Sequence, residues 1–241
     1  MPRFFVKKEQ VKKTTIEILG EDIKHIKNVL RKQIGEDIEI CDKDTKKSYI
    51  CEIEKIEEKS ILTKIIEELQ KQKPVIHHIT NYVTAEACAD AAICAGASPI
   101  MADEPEEVEV ITSGSDALVL NLGTINYNKM IAMERSAMAA KNKGIPVVLD
   151  PVGVMSSALR LNFALKLLKG GYVNIVRGNY DECRALADEK AAGHGVDGIL
   201  QADEGEKLQA AKAVAAKFNC IAAVTGQVDY VSNGKQVLVL N

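Results

Sequence analysis

The 241-residue sequence lacks the features that mark membrane, secreted and highly basic proteins. No apolar run approaches the roughly 18 residues that a membrane-spanning helix needs, and the Met-Pro-Arg-Phe-Phe start does not have the layout of a secretory signal. A net charge of −3 argues against binding nucleic acid through bulk positive charge alone. We therefore expect a cytoplasmic, globular chain without a membrane contact, and its 46% hydrophobic residues are enough to bury a sizeable core.

Two motif classes are also missing. The six cysteines form no C-x-x-C pair and lie in apolar runs, which predicts buried thiols instead of disulfides or zinc ligands. The P-loop pattern G-x-x-x-x-G-K-[ST] does not occur, so a bound nucleotide would be held in another way.

The amino-acid composition changes along the chain. Up to about residue 60 the sequence is dense in charge and rich in Ile, and beyond it Ala, Gly and Val dominate. This shift predicts a boundary near residues 58–63, with separate domains at 1–60 and 62–241.

The first part predicts a small β-barrel with one helix. The runs "FFV", "TTIEIL", "EDIEICDK" and "SYICEIEKI" alternate roughly with period two, and "EDIKHIKNVLRKQ" has helical spacing. Residues 1–35 carry nine Lys or Arg against four Asp or Glu, so the basic excess lies at one end. A solvated surface and a local RNA-binding patch are both open explanations for it.

The motifs "MPRFFV", "GEDIKHIKNVLRKQIGEDIEICD" and "YICEI" resemble the N-terminal, PUA-like RNA-binding barrel of the ribosomal RNA small-subunit uridine methyltransferases. The signature residues would be His25, Val29, Leu30 and Arg31. The resemblance covers about a quarter of the chain and implies RNA as a partner of residues 1–60. The methyl-transferring domain of that family has no counterpart in the remaining sequence.

The second part predicts an α/β fold with a mainly parallel sheet covered by helices on both faces. Continuous apolar strands alternate there with amphipathic helices, most of them of ten or more residues. Strands are expected at 75–79, 98–101, 116–123, 145–150, 173–176, 220–226, 228–232 and 235–240. Helices are expected at 62–72, 84–97, 104–112, 128–144, 157–171 and 206–219.

Three of the apolar runs end in a polar residue, at Asp150, Arg177 and Thr225. Ligands of such sheets bind beyond the carboxyl ends of the strands, so the three residues would share one crevice. The alternative is that each buried strand simply ends in a polar loop. Spacing alone leaves both explanations open.

These residue types suit phosphoryl transfer. Asp150 and Glu182 could hold a magnesium ion directly or through water, because that ion takes few carboxylates and keeps several waters. Arg177 offers a forked donor for phosphate oxygens, and Thr225 a hydroxyl near the nucleotide. Positioning and charge neutralisation supply most of the catalysis in such sites.

Adjacent histidines at 77 and 78 are a weaker candidate for a metal site. Neighbouring residues of a strand point to opposite faces of the sheet, so they cannot easily share one ion. We expect one buried and one exposed histidine.

The motifs "KPVIHHITNYVTAEACAD", "GASPIMAD", "IPVVLDPVGV", "IVRGNYDECRAL" and "AAVTGQVDYVSNG" resemble the hydroxyethylthiazole kinase family of the ribokinase-like superfamily. The resemblance runs from about residue 62 to the end. It implies phosphorylation of the hydroxyethyl alcohol of 4-methyl-5-(2-hydroxyethyl)thiazole in thiamine salvage, with ATP and Mg²⁺, in a homotrimer whose active sites form between subunits. It also implies the following roles: thiazole binding by Asn81, Val83 and Met101; ATP binding by Arg177 and Thr225; metal binding by Asp150 and Glu182.

In the family a glycine-rich segment and a helix follow the position of Asn241, where this sequence ends. They supply the anion hole and the residue that activates the substrate hydroxyl, so we assign no catalytic residue. We expect ligand binding to survive and turnover to fall by orders of magnitude. The alternatives are an RNA-binding module with a non-catalytic kinase-like scaffold, and an unstable fragment that exposes apolar surface and associates.

Overall fold

A computed structural model describes residues 3–11, 16, 18, 22, 26, 30–33, 35–53, 68–190 and 202–240 of the chain. The contacts between Cα atoms divide the chain into two units, Met1–Ile65 and Ile66–Asn241. Each unit has its own sheet and its own apolar core. In the part of the chain that the structure describes, no helix is long and apolar enough to cross a membrane.

The first unit contains a three-stranded sheet in the order β1-β2-β3. Its strands are β1 (Arg3–Val6), β2 (Asp37–Asp42) and β3 (Ser48–Glu52). β1 runs parallel to β2, and β2 pairs antiparallel with β3. The period-two pattern buries every second residue of β1 and β2 in a core formed by Phe4, Val6, Ile26, Ile38, Ile40 and Ile53.

The turn between β2 and β3 is closed by Asp42. Its carboxylate accepts hydrogen bonds from the Thr45 hydroxyl and from the backbone N–H groups of Asp44 and Thr45. The predicted strand at 14–19 and the helix that would carry His25 and Val29 lie largely outside the described residues.

The second unit contains an eight-stranded sheet in the order β11-β10-β9-β8-β7-β6-β4-β5. Neighbouring strands from β5 to β9 are parallel, and β10 and β11 are antiparallel additions at one edge. The strands are β4 (Val75–Ile79), β5 (Ser98–Met101), β6 (Ala117–Asn121), β7 (Val147–Asp150), β8 (Ile175–Gly178), β9 (Ile221–Val224), β10 (Asp229–Ser232) and β11 (Val237–Leu240). The predicted mainly parallel sheet is confirmed.

Within the described residues, six α-helices lie between these strands. They are α1 (Ala85–Ala95), α2 (Val108–Gly114), α3 (Tyr127–Lys143), α4 (Ala158–Lys169), α5 (Tyr180–Asp188) and α6 (Glu204–Phe218). Side chains of Asn126, Asn179 and Asp203 accept backbone N–H bonds at the starts of α3, α5 and α6, as helix N-caps do. Of the helix predicted at 62–72, residues 68–72 are described, and they are helical.

Helix α2 begins later than the sequence pattern predicts. Residues 105–107 form a turn in which the Glu107 N–H donates to the carbonyl of Glu104, and the helix starts only at Val108. The acidic residues ahead of Val108 therefore belong to the loop after β5.

The prediction of one buried and one exposed histidine is wrong. His77 and His78 are both buried, because β4 lies inside the sheet between β5 and β6. His77 Nε2 lies 2.9 Å from the Ala102 carbonyl and Nδ1 lies 2.8 Å from the Thr112 hydroxyl. A carbonyl only accepts, so Nε2 carries the proton and the Thr112 hydroxyl donates to Nδ1. This hydrogen bonding gives His77 a structural role.

Candidate functional site

An ion pair lies at the carboxyl edge of the parallel sheet. Asp150 is the last residue of β7 and Arg177 lies in the neighbouring β8, with Arg177 Nη1 3.5 Å from Asp150 Oδ2. The Asp150 side chain is largely buried, whereas that of Arg177 is 56% exposed. Burial raises the pKa of the Asp150 carboxyl above its usual value, and the Arg177 charge partly offsets this rise. The pair therefore presents a solvated guanidinium beside a partly desolvated carboxylate.

Glu182 accepts hydrogen bonds from both the loop after β7 and the start of α5. Its Oε2 accepts the Asn179 N–H at 2.9 Å and its Oε1 accepts the Gly153 N–H at 3.1 Å. Burial raises the pKa of the Glu182 carboxyl, and the nearby charge of Asp150 acts in the same direction. Both oxygens are thus engaged by the backbone, but each carboxylate oxygen retains a second acceptor site that a metal-bound water can use.

The glycine of the sequence "RGNYDE" permits this close arrangement. A Cβ atom on Gly178 would lie 3.1 Å from Glu182 Oε2 and 3.3 Å from Pro151 Cγ. Gly153, across the same gap, has a φ of +74°, which lies in the left-handed region that favours glycine. The apolar strand therefore stops at a glycine because the two carboxylates and their loops meet there.

Thr225 directly follows β9, the next strand of the sheet. Its N–H donates to the Gly178 carbonyl at 2.8 Å, and its hydroxyl lies 3.3 Å from the same oxygen. Asp150, Arg177 and Thr225 therefore lie along the ends of three neighbouring strands, and Glu182 lies beside them in the first turn of α5. This grouping favours the shared crevice over the alternative, and spacing alone had left both open.

Asn121 is a site residue that the sequence analysis missed. It ends β6, its Nδ2 donates to Asp150 Oδ2 at 2.9 Å, and its Oδ1 accepts from Asn81 Nδ2 at 3.1 Å. The sequence carried a signal for it, since the run "ALVL" ends at Asn121 just as "VVL" ends at Asp150. Asn121 links the loop after β4 to the ion pair.

The residues of the predicted thiazole side lie at the same edge, after β4 and β5. Asn81 Oδ1 accepts both the N–H and the hydroxyl of Thr84, which fixes its amide. Met101 ends β5 in register with His78, and Val83 lies in the turn before α1. Val83 and Met101 are 84% and 38% exposed.

Lys129 is a second residue that the sequence analysis missed. It lies in the first turn of α3 and is buried, and its Nζ donates to the Thr80 carbonyl at 2.6 Å. The same Nζ lies 3.6 Å from Asp103 Oδ2 and 3.6 Å from the centre of the Tyr82 ring. Burial lowers the pKa of this lysine. Lys129 thus joins the loops after β4 and β5 at the wall of an approximately 350 Å³ cavity.

The two carboxylates at the edge are compatible with a magnesium ion held largely through water. Across the described residues, no group of three or more His, Cys, Asp or Glu side chains could hold a metal ion. Asp150 and Glu182 form a pair of carboxylates without such a third ligand, and Mg²⁺ commonly binds to one or two carboxylates while keeping several waters.

Models of known protein families match both parts of the chain. The model of the hydroxyethylthiazole kinase family matches residues 66–241, and that of the RNA methyltransferase PUA domain matches residues 18–66. A hydroxyethylthiazole kinase of Ruminiclostridium cellulolyticum is 45% identical over 183 residues, which cover 75% of this chain and 67% of that protein. One of Pyrococcus furiosus is 43% identical over 169 residues, with 70% and 63% covered.

A solved structure of a hydroxyethylthiazole kinase from Pyrococcus horikoshii superimposes with a TM-score of 0.66 at 32% identity. The superposition covers 74% of this chain and 65% of that one. The chain therefore spans about two thirds of the length of these relatives.

Proposed function

The chain belongs to the hydroxyethylthiazole kinase family, and from this premise we propose that it transfers a phosphoryl group from ATP to the hydroxyethyl alcohol of 4-methyl-5-(2-hydroxyethyl)thiazole. Such a reaction serves thiamine salvage. The observation that carries the proposal is the meeting of Asp150, Arg177, Glu182 and Thr225 at one sheet edge, with Asn81 connected to them through Asn121.

Each of these residues has a chemical task in the proposed reaction. The Arg177 guanidinium turns from Asp150 to the phosphate oxygens, and the Thr225 hydroxyl contacts the same nucleotide. Asp150 and Glu182 hold Mg²⁺ through its waters, and this ion neutralises charge on the phosphates when bound. Asn81, Val83 and Met101 orient the thiazole.

A coupled assay of ADP release tests the activity. Thiazole-dependent ADP release by the full chain supports the proposal. An ATP turnover that is the same with and without added thiazole refutes the activity. A melting temperature that the thiazole does not change would refute binding as well.

Acid is expected to weaken nucleotide binding. Burial raises the pKa of Asp150, so its carboxyl takes up a proton at a higher pH than an ordinary aspartate, and affinity for the magnesium–nucleotide falls there. The contribution of Asp150 to folding stability has the opposite sign: it falls as pH rises through this window, because the unfolded chain has then already released the proton.

Titration calorimetry over a series of decreasing pH values measures this decline, with Asp116→Asn as the control. The Asp116 carboxylate accepts the Val75 N–H at the opposite end of the sheet, so the control should keep the wild-type profile. An affinity that stays flat over this range contradicts the role of Asp150.

Lys129→Met is expected to weaken thiazole binding by about tenfold, which corresponds to roughly 1.4 kcal/mol, and to leave nucleotide binding unchanged. The substitution frees Tyr82 and Asp103, which flank the proposed thiazole loops. The melting temperature should also fall, because the substitution removes only one partner of these contacts and leaves the Thr80 carbonyl without its Lys129 donor.

Lys141→Met is a matched control on the same helix. Its Nζ also donates to a carbonyl, that of Gly170, and lies 4.9 Å from the centre of the Tyr172 ring, but it is remote in sequence from the site loops. Equal thiazole affinity in the two variants would rule out the role assigned to Lys129.

We further propose that the kinase half forms a homotrimer. Helix α1 is rich in Ala and Cys and has no buried residue, and Val83, Ile93 and Val110 are largely exposed nearby in sequence. A neighbouring chain would cover this surface and complete the pocket beside Met101. Light scattering after size exclusion should give three times the 26.2 kDa of one chain, and a monomer at all concentrations would contradict the proposal.

For the N-terminal residues 1–60 we propose RNA docking, supported by the match to the RNA methyltransferase PUA domain. The domain division at 1–60 and 62–241 is part of this proposal. The kinase family match does not favour the alternative in which the second half is only a scaffold. Filter binding to ribosomal RNA should show a salt-dependent affinity, and its absence removes this proposal.

We also propose a cytoplasmic location. All six cysteines are free, as expected in a reducing compartment. Recovery of the protein in a cytoplasmic fraction tests this location, and recovery elsewhere contradicts it.

A further inference from the structure

Asn121 has an amide whose orientation the structure determines. The Gly123 N–H, which can only donate, lies 2.8 Å from Asn121 Oδ1. The Nδ2 group therefore faces Asp150, and the buried amide uses its two ends for different partners. If the oxygen and nitrogen of the Asn121 amide were exchanged, its Nδ2 donor would face the Gly123 N–H, which is also a donor.

A continuous polar chain passes through this amide. It runs from Asn81 to Asn121 over 3.1 Å, from Asn121 to Asp150 over 2.9 Å, and from Asp150 to Arg177 over 3.5 Å. These residues come from the ends of β4, β6, β7 and β8, which are adjacent in that order. The chain therefore connects the proposed thiazole side with the proposed phosphate and metal side.

We propose that Asn121 is a positioning residue that couples the binding of the thiazole alcohol to the binding of the magnesium–nucleotide. This inference rests on the proposed function of the site. A ligand that contacts Asn81 acts through the Asn81–Asn121 hydrogen bond on Asn121, and through Asn121 on the Asp150 carboxylate, before the second ligand arrives. The second ligand then loses less free energy in ordering the site, so each ligand increases the affinity for the other by the same factor.

The role of Asn121 depends on its donor group. Without it, Asp150 Oδ2 loses the Asn121 hydrogen bond and keeps the Arg177 contact, and the Asn81 amide loses its link to β7. Both ligands should still bind to such a variant, because Asn121 is not assigned a contact with either. Only the factor that links their affinities should disappear.

Calorimetry on the full chain tests this coupling. The dissociation constant for the thiazole is measured without nucleotide and with saturating Mg²⁺ and a nonhydrolysable ATP analogue. We expect the wild type to bind thiazole at least about fivefold more tightly with the nucleotide, and Asn121→Leu to show a ratio near one. Asn121→Asp, which keeps the size and puts a carboxylate against Asp150, should also lose the ratio.

Asn174→Leu is the matched control. Asn174 Oδ1 accepts the Val147 N–H at 2.8 Å and so joins β7 to the residue before β8, but at the amino end of the sheet. It should keep the wild-type ratio despite a similar loss of one inter-strand hydrogen bond.

The possible results separate the two claims. A wild-type ratio near one, or a ratio that persists in both Asn121 variants, overturns the coupling role while thiazole binding upholds the proposed function. Loss of the ratio in Asn174→Leu also overturns it, because general destabilisation would then explain the effect. Absence of thiazole binding to the wild type overturns the proposed function and the coupling together.

Discussion

Replacing Arg177 with methionine is expected to weaken nucleotide binding by about 10- to 100-fold, since a hydrogen bond to a charged group contributes roughly 1.5–3 kcal/mol. The side chain is 56% exposed, and an ion pair joins it to Asp150 at 3.5 Å. A pair this exposed adds at most about 1 kcal/mol to folding, so the melting temperature should change little. Calorimetry with Mg²⁺ and a nonhydrolysable ATP analogue measures the affinity.

Arg135→Met is the control for this substitution. Arg135, on α3, is also partly exposed and ion-paired, with its Nη1 3.1 Å from Glu106 Oε1, but Glu106 lies in the loop after β5 and not at the ends of β7, β8 and β9. Unchanged nucleotide affinity in Arg177→Met, or an equal loss in Arg135→Met, would show that Arg177 does not bind the phosphates.

Gly123→Ala should disrupt the site and destabilise the fold together. An added Cβ would lie 2.7 Å from Asn81 Cβ and 2.8 Å from Asn121 Oδ1, so both side chains must move. Overpacking of this kind costs about 1–3 kcal/mol, which lowers the melting temperature of a chain of this size by several degrees. Thiazole binding should be lost, because Asn81 is one of the displaced residues.

Gly114→Ala provides the opposite result in a matched substitution. Gly114 is the last residue of α2, and an added Cβ would meet no atom within 4 Å. Restricting the unfolded chain should stabilise this variant by about 0.4–1 kcal/mol, and its thiazole affinity should equal that of the wild type. If Gly123→Ala has the same melting temperature and the same thiazole affinity as Gly114→Ala, the close packing around Asn81 is not needed for thiazole binding.

The parallel sheet and the grouping of polar residues at its carboxyl edge were predictable from the sequence. Strands such as β7 and β9 contain continuous apolar runs, which are typical of strands buried on both faces; β7 ends in Asp150, and Thr225 directly follows β9. Because parallel strands end at the same edge, the residues Asp150, Arg177 and Thr225 could be grouped before their contacts were known.

The contacts that join these residues could not be predicted in the same way. Lys129 has the spacing of an ordinary helix residue, and its burial follows from how α3 packs beside the loops after β4 and β5. Glu182 looks like a metal ligand in the sequence, whereas its bond to the Gly153 N–H joins α5 to a loop residue 29 positions earlier. Both features result from tertiary packing, which the local periodicity of the sequence does not reveal.

The most direct test of the proposed phosphoryl-transfer site is titration calorimetry of the full chain and of its Asp150→Asn variant. Each is titrated with the thiazole and with a nonhydrolysable ATP analogue, in the presence and absence of Mg²⁺. If the carboxyl edge is the site, the wild type binds both ligands, its nucleotide affinity depends on Mg²⁺, and this dependence disappears in the variant. Nucleotide binding that is the same with and without Mg²⁺, and the same in both proteins, would contradict it.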